Sequence, residues 1–197
     1  MSTSAPTADP SRTALLVMDY QNGIVGMLPA QQRSALVERA SAAMSSMREA
    51  RGTVGHVRVG FTAEEAAAVP SANKMFSALP VDQMTADGPE TAVVDELAPH
   101  QEDVVVRKTR VGAFPTTDLL EQLRERGVTT LVLAGFATSG VVLSTVRDAA
   151  DRDFGLVVLS DACGDGDQQV HEVLVEKVFP RQADVLTVAE FQQALAG

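Results

Sequence analysis

Six short apolar runs punctuate the chain, at residues 13–18, 54–59, 104–106, 130–134, 156–159 and, more weakly, 184–187. Each is bounded by polar or turn residues and is too short for a helix. Their continuous rather than alternating apolar character predicts strands covered on both faces, the habit of parallel sheets. Between them the spacing predicts helices over 30–50, 117–126, 138–152, 167–178 and 189–196. The pattern is clearest around the second of these. Leu119, Leu120 and Leu123 form the apolar stripe, acids lie early and bases late, and Gly127 offers a C-cap.

Strand and helix in alternation imply right-handed β-α-β units. The expected fold is a three-layer, doubly wound (Rossmann-like) α/β domain, with a mainly parallel six-stranded sheet and helices on both faces. A chain of 197 residues suits one such domain and buries roughly 70% of its extended surface. Residues 1–12, polar and rich in Ser, Thr and Pro, are expected to form a flexible N-terminal tail, with the domain over 13–197. The alternation is interrupted at 60–102, which carries Pro70, Pro80, Pro89 and Pro99. An insertion of that length is usually functional, and it is read as a lid or an oligomer contact with short helices.

Composition narrows the partners. Aromatic residues make up only 4% of the chain and Trp is absent, so the core must be built from Val, Leu, Ala, Ile and Met. The formal net charge of -10, with no Lys/Arg block, speaks against nucleic acid. No apolar run approaches the ~20 residues needed to cross a bilayer and no signal-like segment opens the chain, so no membrane partner and a cytoplasmic location are expected. Cys163 is the single cysteine, which excludes an internal disulfide and a Cys-based zinc cluster. His56, His100 and His171 are widely separated; they are read as structural or surface residues, and no metal site is expected.

Ligands of doubly wound folds bind beyond the carboxyl ends of the strands. The residues there are Asp19, 58–61, Lys108, 135–137 and Asp161. Asp19 ends the first apolar run, where a partly desolvated carboxylate can act as a general acid or base, or else bind backbone amides in a turn. Lys108 ends the third run, and on neighbouring strands its ammonium would hold and orient Asp19. Residues 135–145 read as a strand-to-helix turn whose free amides suit an anion, or as a well-capped structural helix. Arg58, Phe61 and Phe114 are candidate pocket-lining residues, with ordinary packing an equal alternative.

Five segments together resemble the isochorismatase-like hydrolases, the superfamily of cysteine hydrolases that includes nicotinamidases and N-carbamoylsarcosine amidohydrolases. They are residues 14–22 (ALLVMDYQN), 105–114 (VVRKTRVGAF), 131–138 (LVLAGFAT), 144–149 (STVRDA) and 158–163 (VLSDAC). The resemblance implies a six-stranded parallel sheet and a homodimer or higher homo-oligomer. It also implies a site in which an Asp and a Lys flank a nucleophilic Cys, after a non-proline cis peptide. Asp19 and Lys108 match the first two, Phe136 and Ala137 match the cis peptide, and Gly140 belongs to the same turn. Spacing from Thr138 puts Val141 at the family's Cys, where an isopropyl group cannot attack a carbonyl. Cys163 lies beyond the next strand and is better read as a small packed hydrophobe. The nicotinamidase metal pattern, an Asp and two His on the second-strand loop, is missing.

True isochorismatases also lack the Cys, and their Asp is thought to protonate a vinyl ether so that water adds directly. The expectation is therefore a hydrolase of a small cyclic or vinyl-ether-type metabolite. It would use Asp-assisted acid-base chemistry, with Asp19, Lys108 and the Val141 position at the centre and Phe61, Phe114, Phe136, Ala137 and Gly140 as binding residues. No cofactor is implied. The alternatives are a catalytically silent small-molecule-binding or assembly protein on the same scaffold and, more weakly, an amidase using Cys163.

Overall fold

A computed structural model describes residues 9–196. Six parallel strands form one sheet in the order β3-β2-β1-β4-β5-β6: β1 Thr13–Met18, β2 Thr53–Val59, β3 Val104–Lys108, β4 Thr130–Phe136, β5 Gly155–Gly164 and β6 Asp184–Leu186. This is the expected doubly wound sheet. Residues 1–8 of the expected tail lie outside the described residues, while Pro10–Arg12 form a 3-10 turn capped by Asp9.

Alternate side chains of the central strands feed two cores. Leu15 and Val17 of β1, Val132 and Ala134 of β4, and Val157 and Leu159 of β5 pack against α2 (Ala30–Glu49) and α7 (Val188–Ala196). Ala14, Leu16 and Met18, Leu131 and Leu133, and Leu156 and Val158 face the opposite layer, α4 (Leu119–Glu125) and α5 (Leu143–Ala150). Helices therefore cover both faces, which explains the unbroken apolar runs. Full burial of each Leu or Val contributes about 1.5–3 kcal/mol.

Two expected helices are broken. The 138–152 pattern begins as a π-helical turn, Thr138–Val142, in which Gly140 has non-helical angles (φ -97°, ψ -105°), and only then becomes α5. The 167–178 pattern is α6 (Gln168–Val173) followed by a second π-helical turn, Leu174–Val178. Apolar spacing does not distinguish these wider turns from an α-helix.

The 60–102 segment holds α3 (Ala63–Ala67), whose Thr62 and Glu65 form a reciprocal capping box, and two 3-10 turns, Pro89–Thr91 and Asp95–Leu97. A small satellite core of Val59, Phe61 and Phe76 fastens it to the sheet. Before it, the short α1 (Asn22–Val25) follows β1.

The chain builds outward from β1 to β2 and β3, then returns to β4 on its other side, so the strand order reverses at β1. At such a point consecutive connections diverge and leave a crevice at the carboxyl edge. Asp19 follows β1, and Phe136 ends β4, on the two sides of that crevice.

Candidate active site

Asp19 leaves β1 in the left-handed region (φ 59°), which Asp tolerates better than most residues because its short side chain can bond locally. Its backbone N–H donates to Val57 O at 2.8 Å, tying the turn to β2. Lys108 ends β3, two strands away, opposite Val59 and thus two residues beyond the level of Met18. From there its side chain reaches across β2, and Nζ lies 2.9 Å from Asp19 Oδ2. Both residues are buried, at 6% and 2% exposure. Lys108 Nζ also donates to Arg110 O at 3.2 Å.

The other carboxylate oxygen, Oδ1 of Asp19, is buried with no hydrogen-bond partner among the described residues. Burial pushes the Asp19 carboxyl above its ordinary value, outweighing the downward pull of the Lys108 charge and hydrogen bond. The arrangement is a carboxyl held through one oxygen and free at the other, in a setting that favours its protonated form. Such an arrangement can serve chemically as a general acid, with an ammonium placed to stabilise the carboxylate left behind.

The third component is the turn after β4. The Phe136–Ala137 peptide is cis. Gly135 precedes it, and a Cβ there would sit 3.1 Å from Met18 O and 3.1 Å from Val142 Cγ2, so a larger residue would press β1 and the turn apart by a few tenths of an ångström. Thr138 and Val141 of the turn are buried, and Val141 joins the core that contains Ala113, Val142 and Val146. The turn thus presents no thiol or hydroxyl at residue 141.

Cys163, on β5, pairs in register with Gly135 of β4 and is buried, its thiol 3.6 Å from Leu133 O. Burial pushes that thiol up to about 12, so it carries almost no thiolate at neutral pH and is not an activated nucleophile.

A match to the family model described as the isochorismatase domain spans residues 13–190. The chain is 34% identical over 191 residues to an uncharacterised isochorismatase family protein, YecD, of Escherichia coli O157:H7, covering 93% of this chain and 96% of that one. The chain belongs to the isochorismatase family. It is also 32% identical to a probable isochorismatase of Pseudomonas chlororaphis, over 92% of this chain and 86% of that one. Among solved structures, an isochorismatase family protein of Burkholderia thailandensis superposes with a TM-score of 0.85 at 31% identity, covering 98% of this chain and all of the other. Isochorismatase-family hydrolases share the α/β fold described above, and the family that the sequence resembles is thus the one to which it belongs.

Other residues of this isochorismatase-family chain fall where the sequence left choices open. Phe61 lies in the satellite core, edge-on to Phe76 at 5.8 Å, with its backbone bonded to Met84 and Ala86 of the insertion. Phe114 stacks on Phe154 at 6.3 Å, with the Arg152 guanidinium 5.3 Å above it. Phe154 immediately precedes β5, so these contacts draw Phe114 toward the α5–β5 connection. Arg58 donates to Ala86 O and Arg107 pairs with Glu65, which binds both to the insertion. Phe136 and Ala137 pack toward the α2 layer. No cluster of three His, Cys, Asp or Glu side chains suited to a metal occurs among the described residues, nor is any described helix long and apolar enough to cross a membrane. The open groove along α2, lined by Arg33, Val37, Glu38, Ser41 and Glu96, shares no residue with the Asp19–Lys108 pair.

Two polar residues at the site, Gln21 and Asp165, were not singled out by sequence, and His171, read there as a structural or surface histidine, meets the turn after β4. Gln21 is buried and makes three bonds, to Val59 N and O and to Thr91 O, which pin the insertion to β2. Asp165 accepts from Ser139 N at 2.7 Å, and His171 Nδ1 lies 2.8 Å from Thr138 Oγ1. Asp165 and the contact of His171 with the turn were not legible because β5 runs to Gly164, past the apolar run that ends at Leu159. The Gly164-Asp165-Gly166-Asp167 run was the available sign of the true strand end.

Proposed function

We propose that the chain hydrolyses a small cyclic or vinyl-ether-type metabolite by proton transfer from Asp19, without a covalent enzyme intermediate. The observation that carries this reading is the buried Asp19–Lys108 pair, 2.9 Å apart with Oδ1 unpartnered among the described residues, together with a turn after β4 in which residue 141 is valine and not a nucleophile.

Asp19 donates its proton to the terminal vinyl carbon, and the π electrons that form the new C–H bond leave an oxocarbenium ion stabilised by the ether oxygen. Water adds to the oxygen-bearing oxocarbenium carbon and returns a proton to Asp19. The hemiketal then collapses to a ketone and an alcohol, with one water consumed. Lys108 interacts more strongly with the carboxylate formed during transfer than with the neutral acid, so its contribution is larger in the transition state than in the ground state. Val141 closes the turn with apolar surface, which excludes attack by the protein itself.

The test is turnover of isochorismate, read as release of the keto acid. Asp19→Asn removes the transferable proton and is expected to lower kcat by about 100-fold or more, whereas Cys163→Ala retains activity. No turnover of isochorismate or a related enol ether by the wild type, or an undiminished Asp19→Asn, overturns the reading. Saturable binding without turnover would assign the scaffold instead to a silent binding protein, a role that the apolar Val141 also suits.

A further inference from the structure

The chemistry that the Asp19–Lys108 reading leaves unused lies on the other side of the turn. Asp167 caps α6 by accepting from Gln169 N and Val170 N. One turn later α6 presents His171, half-buried, with Nδ1 at 2.8 Å from Thr138 Oγ1. The same Oγ1 is 2.9 Å from Gly164 O. Asp165 accepts from Ser139 N and also from Asp167 N, at 2.7 and 3.2 Å. The β5–α6 connection therefore grips the first two residues of the Thr138–Val142 turn.

Counting protons assigns the imidazole. Thr138 has one hydroxyl hydrogen and two close neighbours. Gly164 O can only accept, so that hydrogen points to it, and Oγ1 is left to accept from His171. His171 must then carry a proton on Nδ1, and in the neutral ring Nε2 is bare. Thr138 is fully buried, so water offers no substitute partner on its hydroxyl. We propose that His171 is a positioning residue of the candidate active site: a neutral imidazole protonated on Nδ1, donating to Thr138 and so fixing the entry to the 138–142 turn. Its bearing on catalysis rests on the reading that this turn borders the substrate; the tautomer itself does not.

Partial burial lowers the proton affinity of His171, against the opposing pull of Asp165 and Glu172, which keeps the ring neutral near pH 7. A turn displaced by about 1 Å is enough to cost a site up to 100-fold in rate, so a single anchoring bond can be visible in kinetics.

Two measurements decide the proposal. Nitrogen-15 NMR of histidine-labelled protein at pH 7.5 is expected to show His171 as the Nδ1–H tautomer, the form that free imidazole side chains disfavour. Thr138→Val should return it to Nε2–H. An Nε2–H signal in the wild type overturns the proposal whether or not the protein is active. In isochorismate turnover, His171→Leu is expected to lower kcat about tenfold or more, with His171→Asn, whose amide N–H stands where Nδ1–H stood, recovering most of it. The double variant Thr138→Val/His171→Leu should be no worse than the poorer single variant, because both remove one bond. Full activity in His171→Leu, equal losses in the Leu and Asn variants, or additive losses in the double variant overturn the positioning role. Absence of wild-type turnover would instead count against the proposed hydrolysis, and the NMR outcome would still stand.

Discussion

Asp19 has to hold a proton that a neighbouring ammonium tends to expel, and the balance between burial and that charge sets the pH range of the proposed chemistry. Burial is the larger influence and Lys108 the opposing one. Lys108→Met removes the opposition, so the Asp19 carboxyl rises further. An acid works only while protonated; the alkaline limb of the rate profile should therefore move to higher pH, while kcat falls because the new carboxylate has lost its partner. A limb that stays put or moves toward acid contradicts the assignment. Breaking a buried pair on one side also costs about 3–5 kcal/mol of stability, so the profile must be taken below the melting range of the variant. Cys163 offers the complementary expectation. With its thiol pushed up to about 12 inside the core, iodoacetamide at pH 7.5 should leave the native protein unmodified and active. Rapid labelling with loss of activity would revive the cysteine reading. Both strand-end charges were legible in the sequence because each terminates an apolar run. Their contact was not, since Lys108 reaches Asp19 over an intervening strand.

At the scale of elements, the apolar runs gave five of the strands to within a few residues at each end, and β5 was the exception. Its second half, Ser160 to Gly164, is held by pairing with Gly135 and Phe136 rather than by its own apolar character. The turn after β4 was legible as a place and not as a geometry, because what shapes it is contact: β1 against Gly135, and the β5–α6 connection against Thr138 and Ser139. Gly135→Ala places a methyl 3.1 Å from the Met18 carbonyl oxygen, which cannot move without moving β1. The expected cost is about 1–3 kcal/mol in denaturant unfolding, and a variant as stable as the wild type would mean that β1 and the turn yield easily. Gln21 does for the insertion what Gly135 does for the turn. Gln21→Leu leaves the buried Val59 N–H without its acceptor and cuts both bonds from the side-chain amide. A loss of about 2–4 kcal/mol is expected, with proteolytic cleavage accelerating first within 60–102. Uniformly faster cleavage would show instead that the insertion does not open on its own.

Across the whole molecule, the doubly wound order was legible because six buried runs alternating with amphipathic segments admit few right-handed solutions. The charges buried within that fold were not, and they govern how it responds to acid. His56 is 1% exposed in the middle of β2, with Nε2 3.2 Å from Asp103 Oδ2, which also accepts from Arg48 and from His100 N. Burial lowers the proton affinity of His56, more than Asp103 raises it; Arg48 and His100 add to the lowering. The unfolded chain takes up this proton near pH 6.5 while the folded chain resists it. His56 stability is therefore fully present above about 6.5 and is lost as pH falls below that value, by at most about 1.4 kcal/mol per pH unit. His171 acts in the same direction. Asp19 acts in the opposite one, since the folded chain protonates it before the unfolded chain does. Burial raises the Asp103 carboxyl, but its bonds to His100 N and Arg48 outweigh that and hold it below the ordinary range, so its loss comes only in stronger acid. Across pH 7.5, 6.5 and 5.5 the histidine contribution to the unfolding free energy should consequently decline, against the opposite contribution of Asp19. His56→Gln places an amide N–H where Nε2–H donates to Asp103 and removes the titration, so relative to the wild type it should lose less stability, or gain more, as pH falls. Parallel slopes for the two proteins would move the acid sensitivity away from β2 and onto His171.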